Sequence, residues 1–309
     1  MHDTPDATLP LPKPTGRTVK PDHATDSRKF LAATLVLLVA FSLPLFRLVR
    51  FALQSELYSH VILVPFISLY LVWLKRRELP PSSPPDHRLA VFPLIAGGAL
   101  LALGFATALT PVDALALDTL AFVLLLLGLC ALFLGRPTLR ALAFPLGFLF
   151  FLAPFPTAVS DGISTALQNT SASAAYLLFT LGGTTVFRQE TYFQLPGINL
   201  LVAPECSGIH STLALFITSL LAGYFFLRSP WKRAVLTLAV IPLAILRNGF
   251  RVFVIGELCV RIGPEMIDSP IHHRGGPIFF ILSLVPFFLI LHQLIKSERP
   301  RPRPAPTTP

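Results

Sequence analysis

Three stretches in the C-terminal half place nucleophilic or ionisable side chains among apolar ones: Pro204-Glu205-Cys206-Ser207-Gly208-Ile209-His210, Arg247-Asn248-Gly249-Phe250-Arg251 and His272-His273-Arg274-Gly275-Gly276. Ionisable groups in or beside apolar segments cost on the order of 2.5–3.5 kcal/mol each on insertion scales, and they mark function more often than packing. Cys206 stands just before an apolar run, so a helix is expected to begin there with Ser207 as its cap. The positive end of such a helix favours thiolate over thiol. Gly208 leaves room for a substrate backbone to approach. A lone cysteine in an apolar chain is ordinarily a small hydrophobe. What sets Cys206 apart is its company, since Glu205, Ser207, Gly208 and His210 are polar or small where lipid-facing residues are expected.

Arg247 and Arg251 are four residues apart and share one helical face. A single arginine at a span end commonly snorkels. Two on one face with Asn248 between them fit an anion or oxyanion site, in which arginine holds developing negative charge and does not act as a base. His272 and His273 offer the proton transfers that acyl transfer on a thiol requires. Metal binding is the rival reading, with His60, His210, His272, His273 and Cys206 as possible donors, although only Cys206 and His210 have compact-site spacing. No cofactor is expected, and neither Gly-x-Ser-x-Gly nor His-Glu-x-x-His occurs. Cys130 lies mid-run and reads as core. A disulfide between Cys206 and Cys259 is sterically conceivable and would block the nucleophile.

These groups need elements to position them, and composition says which kind. Of 309 residues 53% are hydrophobic and 13% charged, with mean hydropathy +0.68, against roughly 25% charged in soluble domains. The apolar residues come in long runs, as membrane spans do. The fold class is therefore all-α, a polytopic transmembrane bundle of about eight spans: Phe30–Phe46, His60–Leu74, Leu89–Leu109, Leu117–Leu134, Leu139–Thr157, Ile209–Leu227, Ala234–Phe250 and Pro277–Ile295. The net charge of +9 reflects Lys and Arg at span ends, which sets topology and does not indicate a nucleic-acid partner. Arg28 and Lys29, Lys75 to Arg77 with Arg88, Arg136 and Arg140, Arg228 to Arg233, and Lys296 to Arg301 all fall on one side if both termini are cytoplasmic; Arg47 and Arg50 dissent. That arrangement brings all three chemical stretches to the outer ends of spans six, seven and eight.

It also requires that Asp161–Phe187 not cross. Its apolar residues recur at helical spacing, with Asp161 as N-cap and Gly182-Gly183 as the stop, which predicts an amphipathic helix at the outer interface or on the bundle mouth; a ninth, interior-facing span is the alternative. Thr191–Val202, with its Pro196-Gly197 turn, predicts a short hairpin. Residues 1–29 and 296–309 read as polar tails flanking one transmembrane domain over 30–295.

The constellation of Cys206-Ser207-Gly208 at the start of one span, Asn248-x-x-Arg251 in the next and His272 four residues before Gly276 resembles the exosortase/archaeosortase family. Tyr58–Trp73, Phe144–Pro156 and Leu195-Pro196-Gly197 extend the likeness over most of the chain. The resemblance implies a multi-pass protein of the bacterial cytoplasmic membrane with its site facing outward, and a cysteine protease or transpeptidase activity. Cys206 would be the nucleophile, Arg251 the transition-state arginine and His272 the acid/base, with His273 the alternative. The implied partners are exported proteins with a C-terminal Pro-Glu-Pro-type motif, a transmembrane helix and a basic tail, and an acceptor of unspecified kind. Two other readings stand beside it: an intramembrane cysteine peptidase with water as acceptor, and an anion transporter or channel, which the scarcity of charges within spans one to five (Asp118 and Arg140, each at a span end) disfavours. A membrane-impermeant maleimide applied to right-side-out vesicles, with Cys130 and Cys259 replaced by Ala, is expected to label Cys206; labelling only after permeabilisation would invert the topology.

Overall fold

The computed structural model describes residues 23–80, 86–203, 206–269, 271 and 275–298. Helices α1 (His23–Ala40) and α2 (Ser42–Gln54) meet at a 63° bend. A 3-10 turn at Ser59–Ile62 leads into α3 (Val64–Lys75), and α4 (His87–Ala106) pairs with α5 (Pro111–Ala141). The short α6 (Ala143–Phe148) runs into a second 3-10 turn and then α7 (Thr157–Leu181). After three strands come α8 (Ile209–Phe226), α9 (Pro230–Leu238), α10 (Val240–Arg261) and α11 (Gly276–Lys296). The all-α, polytopic class is as expected.

Five helices are long and apolar enough to cross a membrane, or up to seven if each bent pair counts as one span, against the eight expected. The shortfall sits at three places, the first being the bend between α1 and α2. At 12 residues, α3 reaches about 18 Å of a roughly 30 Å hydrocarbon core. The expected fifth span, Leu139–Thr157, is a broken pair: Ala143–Leu152 turns by 92° into α7. Within α5, Gly135 at φ 72° marks the kink where the fourth expected span ends.

The basic clusters gather at one end of the bundle. Lys75 Nζ donates to the Ala141 carbonyl at 3.2 Å and lies 5.5 Å from the Tyr224 ring, and the Arg233 guanidinium lies 5.7 Å from the same ring. Glu298 accepts from the backbone N–H groups of Arg228 and Ser229, both at 3.0 Å. These amides draw proton affinity from its carboxylate and hold it below the usual carboxylate range. The ends of α3, α5, α8 and α11 thus share one level, and the opposite ends of α3, α8 and α11 form the other.

At that second end α7 lies against the C-terminal half of α10. Its start is not at Asp161 but at Thr157, because the Asp113 carboxylate of α5 accepts from the Thr157 N–H at 2.7 Å and from its hydroxyl, capping the helix from outside its own sequence. The stop at Gly182-Gly183 is as expected. The interface is built on small residues: a Cβ at Gly249 would lie 2.6 Å from Ala174 Cβ, and one at Gly256 2.4 Å from Phe179 Cζ. The seventh expected span ended at Phe250, yet α10 continues to Arg261. Its outer residues are buried by α7 and the strands, with Val252 in a core of Ala172, Ala175, Phe179, Phe193, Leu195, Leu200 and Val202.

The hairpin of β2 (Tyr192–Leu195) and β3 (Ile198–Leu201) turns at Pro196-Gly197, with Gly197 at φ 81°. The sequence pattern missed β1 (Phe187–Gln189), which adds a third antiparallel strand beside β2. At Gly249, Val is expected to force α7 off α10 and to destabilise by about 1–3 kcal/mol, as overpacking does, read as a lower unfolding temperature in detergent; an unchanged temperature would disprove this packing.

Candidate active site

The chain enters α8 through a turn that α10 holds from behind. Asn248 Nδ2 donates to the Cys206 carbonyl at 2.8 Å. Arg247 Nη2 donates to the Gly208 carbonyl at 3.1 Å and to Thr212 Oγ1 at 3.3 Å. The Gly208 carbonyl also accepts from the Thr212 N–H and hydroxyl at 3.0 and 2.7 Å. Gly208 is the N-cap, at φ 76° in the left-handed region, and a Cβ there would lie 2.9 Å from Arg247 Nη2 and 3.1 Å from Asn248 Oδ1. Glycine is required twice, by torsion and by space.

This arrangement corrects the expected role of Ser207. Its side chain is 1% exposed and its hydroxyl finds no hydrogen-bond partner among the described residues. It does not cap α8, because the chain reaches helical geometry one residue later and the Gly208 turn occupies the capping place. Arg247 is likewise buried, at 8% exposure. Two of its contacts hold the turn, while Nη1 is buried with no hydrogen-bond partner among the described residues.

Arg251 lies one turn further along α10 and is half-buried. Together with Cys206, Asn248 and Val252 it lines a cavity of about 30 Å³ whose opposite wall is Leu200–Val202 of the hairpin. The Val202 carbonyl is held by the Gln168 side chain of α7, so α7, the hairpin, α8 and α10 all shape the cavity. This volume takes about one or two waters: enough for a reacting carbonyl, too little for a peptide. Arg251 also lines a larger groove with His210, Glu56 and Gly276.

Five of the sequence-selected residues therefore meet at one place: Cys206, Gly208, Arg247, Asn248 and Arg251. Gly276 starts α11 on the far side of Arg251. Glu205, His272 and His273 lie outside the described residues. Thr212 and the hairpin residues Leu200–Val202 were not selected from sequence. Thr212 has a legible signal, standing four residues after Gly208; the hairpin side chains have none, being apolar residues in an apolar chain.

His60 lies in the 3-10 turn beside α2, with its Nδ1 3.1 Å from the Leu57 carbonyl oxygen. No disulfide joins Cys206, Cys130 or Cys259. Cys259 is buried, and neighbouring Glu257 takes a hydrogen bond from Thr184 and pairs with Arg261 Nε at 2.6 Å, so that group is a latch between α7 and α10.

Replacing Asn248 by Ala leaves the Cys206 carbonyl without this donor, a loss of about 1–3 kcal/mol for a buried acceptor. The expected result is a lower unfolding temperature and an altered rate of Cys206 alkylation by iodoacetamide. An alkylation rate and stability equal to wild type would show that Asn248 does not hold the turn.

A family model described as transmembrane exosortase matches residues 52–289. No curated protein and no solved structure matches the chain. The matched span contains Cys206, Asn248 and Arg251, the residues brought to one cavity at the start of α8, as well as all of α3 to α10 that position them. The chain belongs to the transmembrane exosortase family.

Proposed function

We propose that the protein is a membrane-embedded cysteine transpeptidase that cuts C-terminal sorting signals from exported proteins and passes them to an acceptor. One observation carries this reading: a cysteine in the turn that leads into one helix and an arginine from a second helix line the same small cavity. The Cys206 thiolate attacks the scissile carbonyl carbon, and the electron pair moves to oxygen. Arg251 donates to that oxyanion, a role in which single donors contribute about 10²–10³ in rate. Collapse of the tetrahedral species breaks the C–N bond, and His272 delivers a proton to the leaving amine. The thioester is resolved by an acceptor amine or hydroxyl whose proton returns to the histidine, and the C–S bond breaks to regenerate the thiolate.

Two supports concern the groups at the edge of the cavity. Gly276 borders the groove beside Arg251, and His272 is four residues away in sequence, a reach of at most about 14 Å. The basic clusters gather at the end of the bundle opposite the cavity, which under the positive-inside rule turns the site outward. The substrate signal follows from the family: a Pro-Glu-Pro-type motif, an apolar stretch and a basic cluster.

Co-expression with a protein of that kind from the same genome tests the reading. Cys206→Ala is expected to abolish processing, and Arg251→Lys to slow it by about 10²–10³. His272→Ala is expected to stop processing and His273→Ala to spare it; the reverse pattern would move the acid/base role to His273. Processing that survives Cys206→Ala would end the thiol mechanism.

A further inference from the structure

The cavity at Cys206 is far too small for a polypeptide, so a substrate chain must lie mostly elsewhere. A groove of about 880 Å³ adjoins it, walled by the end of α2 and the loop after it on one side and by the first turns of α8 and α11 on the other. Arg251 belongs to both spaces. A chain lying in the groove therefore presents its backbone to the same guanidinium that faces the thiol's cavity.

The groove changes character with depth. Its rim carries Glu56, Ser59 and His210, at or near the non-basic ends of the helices. Its deeper walls are apolar, with Ala214 and Phe280, while Leu53 stands at the lateral opening. Ala214 is five residues into α8 and Phe280 four into α11, which puts the floor about 6–8 Å below the rim. That is about a quarter of the hydrocarbon thickness. The flanking helices expose apolar side chains sideways: Leu53 of α2 is 72% exposed, and Ile278 and Ile281 of α11 are 63% and 64% exposed. A helix about 10–12 Å wide would fill this volume over about two turns.

We propose that this groove seats the outermost turns of a substrate's apolar segment, admitted sideways from the bilayer between α2 and α11, so that the peptide bond just above it meets Arg251 and Cys206. The proposal rests on the transpeptidase reading and adds the path by which the substrate arrives. Polar rim and apolar floor match a polypeptide at the point where it leaves lipid for water.

The full-length protein carrying Cys206→Ala and a photoreactive benzoylphenylalanine at position 53 is co-expressed with a reporter protein bearing the complete C-terminal signal. Position 53 is exposed, so the probe does not burden folding. The expected crosslink maps to the reporter's apolar segment, and the same probe at position 92 on α4, also exposed, gives none. Crosslinks from position 53 only to lipid or to a second copy of the chain would overturn the proposal. In the Cys206-containing protein, Gly276→Leu and Ala214→Phe each add bulk to the groove. A Cβ at Gly276 meets nothing within 4 Å, so the leucine has space within its own chain. Both variants are expected to slow reporter processing at least tenfold, while alkylation of Cys206 by iodoacetamide stays within about twofold of wild type. Undiminished processing would overturn the groove as the substrate path while leaving the thiol mechanism standing. Processing independent of Cys206 would remove that underlying reading instead. A failure of either bulky variant to accumulate leaves the position 53 crosslink to decide.

Discussion

Everything at the site depends on two adjacent side chains of α10 gripping the turn that begins α8. Asn248 takes the carbonyl of Cys206 and Arg247 the carbonyl of Gly208. Both are 8% exposed or less, so these bonds form where little water competes and where a lost donor leaves a costly acceptor. Burying a guanidinium in an apolar bundle is itself expensive. Here Arg247 joins two helices across a left-handed residue that accepts no side chain. Rigidity at Gly208 is transmitted directly to the thiol two residues earlier.

The grip works because α10 does not end where its arginines stand. A span that stopped at Phe250 would present frayed backbone at the position of Arg251. Instead α10 extends to Arg261, braced by α7 through glycine and alanine contacts and by the hairpin through Phe193 and Leu200. Arg247, Asn248 and Arg251 are therefore mid-helix residues with fixed directions. One turn of helix separates the arginine that builds the site from the arginine that lines its cavity. This division of labour explains two arginines on one face better than a shared anion site does.

Helix α7 and the hairpin have a corresponding purpose. α7 departs from α6 at 92° and supplies Gln168 to the Val202 carbonyl, while the hairpin closes the cavity opposite Arg251. Together they form a cap on one end of the bundle. The other end is tied by Lys75, Arg233 and Glu298. The two ends are thus held differently: bonded basic side chains and Glu298 at one, and at the other a set of polar groups around the turn into α8.

The chain's own sequence was enough to settle its class, because long apolar runs admit few structures other than helices that satisfy their own backbone in lipid. It also singled out Cys206, Asn248 and Arg251, conspicuous among apolar neighbours, which the fold brings to one cavity. What it did not settle were helix ends and pairings that depend on groups distant in sequence. Asp113 caps α7 from 44 residues away, displacing its start from Asp161 to Thr157. Ser207 lost the expected cap to a backbone turn that only Arg247 and Asn248 make favourable. Only the folded chain could decide that Arg247 is committed to Gly208 while Arg251 faces the cavity, because four-residue spacing puts both on one face and says nothing of what stands opposite. The groove beside Arg251 is likewise a tertiary product, an interval between α2, α8 and α11 that exists only once those helices are placed.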